Sequence, residues 1–324
     1  MASRNLKLRK SIAPMLESID AIQAEKGTSL HLRPFEAADL IVRHSIVKVE
    51  GDADKDNFIE KPWFAAIYAE IHKWYVARYG SLMKVQRDNA TGLVVHRGVP
   101  HTIDVPKTIS ALQESGLVKL TFPSKLYPTE DPMKWVRPKI SKRSIGPLAG
   151  KLRNRIACTC NGLRQIGLNT GTAGGKNTGV PLMATSIVAH LSKAAEAASS
   201  HYKESNSLAL WDLHLACEKS IKSLLAQRNV QFPKTHDLAK LNDLVPDLDV
   251  RKKAHRIIRH LPNEKKVIQH RYLQEAAVPP NKLYVFYSLA LRLCVIYTSG
   301  LTQKLQIADA SFFLKEPPWF SQME

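Results

Sequence analysis

Segment 208–244 constrains the fold of this chain more than any other stretch. Its first half has an apolar residue every three or four positions, which is the spacing of one buried helix face. These residues are Leu210, Leu213, Cys217, Ile221 and Leu224. Phe232 and Pro233 end the pattern, because proline lacks a backbone donor and disfavours helix in the residue before it. Thr235 then predicts the N-cap of a second, shorter helix.

Short motifs in and after this segment resemble the HEPN family, small helical domains named for nucleotide binding in prokaryotes and higher eukaryotes. The matching stretches are Ala216-Cys217-Glu218-Lys219, Phe232-Pro233-Lys234-Thr235-His236-Asp237-Leu238, Arg271-Tyr272 and the apolar segment 283–297. The motif residues are Glu218, Lys219, Lys234, Thr235, His236, Asp237, Arg271 and Tyr272. The resemblance covers residues 180–305 and implies an all-α bundle of five helices there.

The predicted fold class is an α+β N-terminal domain followed by this all-α HEPN-like bundle, mainly α overall. The domain limits are 1–178, 179–305 and a tail over 306–324. The boundary is placed in the glycine-rich segment 167–179, because glycine clusters favour turns and linkers. Segment 91–105 predicts a strand, a turn and a second strand. A short helix is predicted from 106 to 115, and the five prolines within 123–150 predict a loop.

HEPN ribonucleases carry an arginine and a histidine separated by four to six residues, and this chain departs from that pattern. Its nearest pairs are Arg251/His255, Arg256/His260 and Arg97/His101, each separated by only three residues. The resemblance therefore implies a non-catalytic protein that binds RNA or another nucleic acid, in a defence or regulatory role. Two alternatives stay open. One is a ribonuclease of atypical motif that uses His236, or His255 with Arg271. The other is an accessory partner of a nucleotidyltransferase.

The positive charge of the chain is concentrated in one region. The net charge is +18, and residues 131–195 hold eleven basic residues against one acidic residue, a net +10. A localised excess of this kind indicates an anionic partner. The predicted nucleic-acid contacts are Lys134, Arg137, Lys139, Lys142, Arg143, Lys151, Arg153 and Arg155. Trp135 lies among them and is predicted to stack on a base.

A second basic face is predicted in segment 250–261. Its apolar residues, Val250, Ala254, Ile257, Ile258 and Leu261, form a helical stripe. Lys252, Arg256 and Arg259 fall on the opposite face and are either a further nucleic-acid contact or an ordinary solvated surface. His236 has a structural alternative as well, since histidine and aspartate near a helix start commonly satisfy exposed backbone donors.

The remaining composition predicts a cytoplasmic protein without a metal or another cofactor. Four cysteines are too few for a disulfide framework in a chain of this length. Cys158 and Cys160 lack a second ligand pair nearby, which makes them a poor metal site. The apolar segment 283–297 is too short to span a membrane. A helix that is apolar all round must be covered all round, so it predicts a homodimer through the helical domain.

Overall fold

The computed structural model of the protein describes residues 2–49, 57–83, 89–113, 117–174, 179–200, 202 and 204–315. The chain divides into two compact units. The first comprises Met1–Arg87, Ala111–Lys119 and Phe313–Glu324, and the second comprises Asp88–Ser110 and Leu120–Phe312. Helices predominate, and the fold is mainly α as the sequence predicts.

Three helices form the first unit: α1 (Ala2–Glu25), α2 (Arg33–His44) and α3 (Pro62–Tyr79). Proline at the start of α3 is favourable, because the backbone donor it lacks has no partner within a helix at that position. The unit has its own core, in which Phe64, Ile71 and Tyr75 are fully buried. Asp20 anchors α1 through an ion pair of 3.0 Å with Arg33.

Two small sheets are built from strands in several parts of the chain. The strands are β1 (Asn89–His96), β2 (Val99–Pro106), β3 (Ile109–Leu112), β4 (Leu117–Thr121), β5 (Val136–Arg137) and β6 (Ser311–Lys315). One sheet has the order β1-β2-β5 and the other β3-β4-β6. The strand–turn–strand prediction for 91–105 is confirmed. Arg97 and Gly98 both have positive φ, 50° and 79°, which suits the two-residue turn of a twisted hairpin.

One prediction near these sheets is wrong. The predicted helix over 106–115 is not formed, because 109–112 is strand β3 and the Gln113 N–H donates to the Leu117 carbonyl at 2.8 Å. Pairing with β4 gives this segment the hydrogen bonds that a short helix would leave unmade at its ends. The described part of the predicted tail over 306–324 includes strand β6 at 311–315. Residues 316–324 lie outside the described part.

The second unit contains the remaining helices. They are α4 (Lys142–Ile145), α5 (Ala149–Gly171), α6 (Gly179–Ser199), α7 (Ser205–Gln227), α8 (Leu238–Asp243), α9 (Leu248–Ile258), α10 (Glu264–Arg271) and α11 (Pro280–Ser299). The described part of 179–305 therefore holds six helices instead of five. The additional helix is α10, which begins after Asn263, whose side chain accepts from the Lys266 N–H at 3.0 Å.

Residues 149–174 belong to the same compact unit as α6–α11, although the sequence places a boundary near residue 178. Helix α5 packs closely on α11 at Gly162, where a Cβ atom would come within 2.6 Å of Leu291. After α5, Ala173 pairs with Gln303 in an isolated bridge. The Gln227 side chain also donates to the Gly174 carbonyl at 2.6 Å. Long-range hydrogen bonds thus hold the start of the glycine-rich segment.

Helix α11 lies in the core of the second unit. Tyr287, Leu293 and Tyr297 are fully buried, and α11 packs against α5, α7 and β1. Residues upstream of 178 therefore cover a face that the sequence argument assigned to a second copy. Val285 remains 52% exposed. The apolar character of α11 alone no longer requires a homodimer.

Candidate functional site

The basic segment 134–155 presents most of its cations to solvent. Besides Arg137, its exposed cationic side chains are Lys134, Lys139, Arg143, Lys151 and Arg153. No described carboxylate lies within ion-pair distance of any of these five. Arg137 differs, because it pairs with Asp104 at 3.5 Å and also donates to the Lys134 carbonyl at 2.6 Å. The side chain of Lys142 lies outside the described part of the structure.

Trp135 packs against the rest of the protein and contacts Arg164. The guanidinium of Arg164 lies 5.5 Å from its ring centroid, and the half-buried ring packs against the core. Arg164 is itself only 1% exposed and pairs with Glu130 at 2.6 Å. Arg164 could not be identified from the sequence, because its neighbours along the chain do not distinguish a buried arginine from a surface one. Base stacking by Trp135 stays a prediction.

A basic groove lies between α5 and α11, with a volume of about 570 Å³. Its lining includes Lys151, Arg155 and Arg292, together with Asn154 and Tyr284. The Arg155 guanidinium lies 4.9 Å from the centroid of the Tyr284 ring and donates a hydrogen bond to the Val95 carbonyl. Lys151 and Arg155 were predicted from the sequence as nucleic-acid contacts. Tyr284 and Arg292 were not, because they line the groove only through the packing of α11 against α5.

The second basic face, predicted on segment 250–261, lies on and just after α9. The apolar stripe is confirmed, with Ala254 and Ile257 buried. Lys252, Arg256 and Arg259 are exposed. Arg259 also lines a groove of about 970 Å³, whose other cations are Lys265, Lys266 and Lys282.

His270 lines the same groove and is 6% exposed, and its Nδ1 atom has no hydrogen-bond partner among the described residues. Burial lowers the pKa of this imidazole, and the nearby Lys266 and Lys282 act in the same direction. Glu275 opposes them. The groove therefore combines Arg259 and three lysines with three acidic residues, Asp237, Glu264 and Glu275, and with a histidine whose pKa is lowered.

The HEPN motif residues Glu218 and His236 are in direct contact. His236 Nδ1 donates to the Glu218 carboxylate at 2.7 Å, and Lys222 Nζ donates to the same carboxylate at 2.6 Å. Burial raises the pKa of Glu218, but the hydrogen bonds and charges of its two partners outweigh burial and lower the pKa overall. The carboxylate is therefore ionised and accepts from Nδ1, so that in a neutral imidazole Nε2 is left as an acceptor.

Trp211 lies next to the Glu218–His236 pair and contacts further residues. Its ring lies 5.5 Å from His236 and 6.5 Å from His214, and the Arg271 guanidinium is 4.2 Å from its centroid. His214 Nε2 donates to the His236 carbonyl at 2.6 Å, and burial lowers the His214 pKa. Trp211 and His214 were missed from the sequence, because aromatic residues on a helix are usually core.

The other predicted motif residues have simpler positions. The N-cap of α8 is Asp237 and not Thr235, because the Asp237 carboxylate accepts from the Ala239 and Lys240 N–H groups at 3.0 and 3.2 Å. Thr235 Oγ1 instead accepts from the Asp237 N–H at 3.1 Å. The remaining residues, Lys219, Lys234, Tyr272 and His255, make none of the described contacts of the Glu218–His236 pair. His255 is exposed on α9.

Comparison with known proteins identifies one region of the chain. The model of the HEPN domain matches residues 191–281, so the C-terminal part carries a HEPN domain. No family model matches the N-terminal region. No curated protein and no solved structure matches the chain. A HEPN domain points to a role related to nucleic acid or to ribonuclease-like chemistry, and such domains often bind nucleic acid or dimerise.

In the described part of the chain, none of the helices is long and apolar enough to cross a membrane. The same residues contain no group of three or more histidine, cysteine, aspartate or glutamate side chains arranged to hold a metal ion.

Proposed function

We propose that this protein binds nucleic acid, with RNA favoured over DNA, and does not cleave it. The observation that carries the proposal is the set of exposed cations in segment 134–155 that have no described carboxylate partner. Like charges repel, so such a surface is more favourable when an anionic ligand neutralises it. A phosphate backbone supplies regularly spaced anions and gains affinity by releasing condensed counterions.

The HEPN domain is the reason for favouring RNA and for treating the second basic face on α9 as an additional contact. Lys252, Arg256 and Arg259 are exposed, and Arg259 lines the groove that also contains Lys265 and Lys266. Binding without cleavage is supported by the absence of the arginine–histidine spacing that HEPN ribonucleases carry.

The test compares two charge-matched double variants of the full chain. Arg143→Ser with Arg153→Ser removes two exposed cations of the basic segment, whereas Lys193→Ser with Lys304→Ser removes two exposed cations elsewhere. The first variant should bind RNA more weakly, and its log–log salt slope should be smaller by about 1.4, from roughly 0.7 for each of two phosphate contacts. The second should resemble the wild type. Equal salt slopes in the two variants would contradict the assignment of phosphate contacts to segment 134–155.

A ribonuclease of atypical motif is the second candidate, and one observation favours it. Glu218 binds His236 at Nδ1, so that in a neutral imidazole Nε2 is free to accept a proton, as a general base requires. The His236 side chain is 44% exposed, and Arg271 reaches the same aromatic ring that His236 contacts. In this candidate function, His236 is the base and Arg271 stabilises the phosphate charge.

Three further aspects of the proposal concern assembly and setting. We infer a homodimer through the helical domain, a cytoplasmic location and a defence or regulatory role. A nucleotidyltransferase is the alternative partner. Light scattering on the full chain tests the dimer, because a monomer at tens of micromolar would contradict it. The full chain is the appropriate sample, since α5 contributes to the core around α11.

A further inference from the structure

We propose that the groove between α5 and α11 binds single-stranded nucleic acid, holding one base against the Arg155 guanidinium and the adjacent phosphates against Lys151 and Arg292. This inference rests on the proposed nucleic-acid function and names the form of ligand that this surface selects. The lining residues come from 151–159 and 284–292. The two segments flank the HEPN match at 191–281, so the family model assigns no role to them.

The charge of the groove suits a phosphate backbone. Lys151, Arg155 and Arg292 all line it, and no aspartate or glutamate is among its lining residues. Lys151 and Arg292 are exposed, which leaves their ammonium and guanidinium groups accessible to a ligand. Asn154, another exposed lining residue, adds an amide that both donates and accepts hydrogen bonds.

The groove also offers a flat surface for a base. Arg155 is fixed in place, because it donates to the Val95 carbonyl and its guanidinium lies 4.9 Å from the Tyr284 ring centroid. Unstacked bases stack on aromatic rings or on arginine guanidinium planes. A guanidinium already held in one orientation loses little freedom when a base stacks on it. Leu291 contributes apolar surface to the same lining.

These features favour a single strand over a duplex. In a double helix the bases are stacked and paired, so a base face is not available together with the neighbouring phosphate. A single strand offers both, and base stacking adds to the affinity of proteins that bind single strands. The volume of about 570 Å³ lies in the range of pockets for small ligands, which is suited to an unstacked nucleotide.

The experiment measures the affinity of the full chain for a fluorescent pyrimidine-rich RNA strand, alone and annealed to its complement. Two variants alter the groove: Arg292→Ser removes an exposed charge and Asn154→Asp introduces a negative one. Lys193→Ser is the matched control, because it removes one exposed charge from α6. We expect Arg292→Ser and Asn154→Asp each to weaken single-strand binding about tenfold. Their duplex affinity should change no more than that of the control.

The outcomes separate this inference from the proposed function. Wild-type protein that binds neither RNA form contradicts both. Binding that falls in Arg143→Ser with Arg153→Ser but not in Arg292→Ser leaves the proposed function standing and overturns the groove. An equal loss of single-strand and duplex affinity in Arg292→Ser also overturns it, because the groove then does not select a single strand. Circular dichroism of each variant establishes that the fold is retained.

Discussion

The Glu218 carboxylate accepts a hydrogen bond from His236 Nδ1 at 2.7 Å, across eighteen residues of sequence. This contact joins α7 to the segment that leads into α8. Lys222, one turn further along α7, donates to the same carboxylate at 2.6 Å. The motif that resembles the HEPN family therefore has a structural role, whichever ligand the domain binds.

Glu218→Gln should destabilise the protein by about 2 kcal/mol, because it replaces two charge-assisted hydrogen bonds and leaves a poorly exposed lysine without its counter-ion. Urea unfolding measures the change. Glu196→Gln is the matched control, since Glu196 is exposed on α6, and it should alter the unfolding free energy little. Equal effects of the two substitutions would contradict the role of the pair.

The Glu218–His236 pair also predicts that the unfolding free energy depends on pH in the acidic range. The pKa of Glu218 is lowered from 4.5 in the folded protein. Its contribution to stability is therefore fully present above pH 4.5 and is lost as pH falls through the lowered folded value. The difference in unfolding free energy between the wild type and Glu218→Gln should shrink below that pH. A constant difference would exclude an ionised Glu218 as the source.

His270 predicts a second pH effect, at higher pH. Burial lowers its pKa from 6.5, so the unfolded chain binds a proton at a pH where the folded protein does not. Stability should therefore decline as pH falls from 6.5 towards the lowered folded value. Replacing His270 with glutamine should make the pH dependence of the unfolding free energy shallower in this range. His255→Gln is the control, because His255 is exposed.

Gly162→Ala tests the packing of α5 on α11. The added methyl group would lie 2.6 Å from Leu291 atoms, so we expect a loss of about 1–3 kcal/mol, the usual cost of overpacking a core. Gly167 lies on the same helix and a Cβ atom there meets nothing within 4 Å. Gly167→Ala should therefore stabilise by up to about 1 kcal/mol through helix propensity. Similar effects at both positions would contradict the close contact.

Cleavage of RNA separates the two candidate functions. We expect no metal-independent cleavage above background by the purified protein. The measurement is gel analysis of a labelled RNA in the presence of a chelator, with wild type and His236→Gln compared. Cleavage that His236→Gln abolishes while circular dichroism shows a retained fold would replace the binding function with the ribonuclease.

The helices of the C-terminal part could be predicted because their signals are local. Leu213 and Cys217 mark a buried stripe, and Pro233 marks the break that follows it. The α8 cap was placed two residues early, since Thr235 and Asp237 both suit an N-cap and only the fold shows that Asp237 accepts the helix donors. Local patterns do not rank two such neighbours.

The parts that could not be predicted depend on contacts between distant segments. Gly162 looks like any helical glycine until Leu291 lies against it, and the Gly174 segment resembles a linker until Gln227 binds it. Segment 109–112 becomes a strand through its pairing with β4. For the same reason, only part of the candidate site could be predicted from the sequence. The charge of segment 134–155 is local, whereas the position of Arg292 beside Arg155 is not.

The salt dependence of RNA binding by the wild-type protein tests the central claim most directly. Fluorescence anisotropy with a single-stranded RNA at several salt concentrations gives the slope of log affinity against log salt. If the five exposed, unpaired cations of segment 134–155 contact phosphates, we expect binding with a slope of about −3.5, from roughly 0.7 per phosphate contact. Absence of binding at low salt, or a slope near zero, would contradict the account.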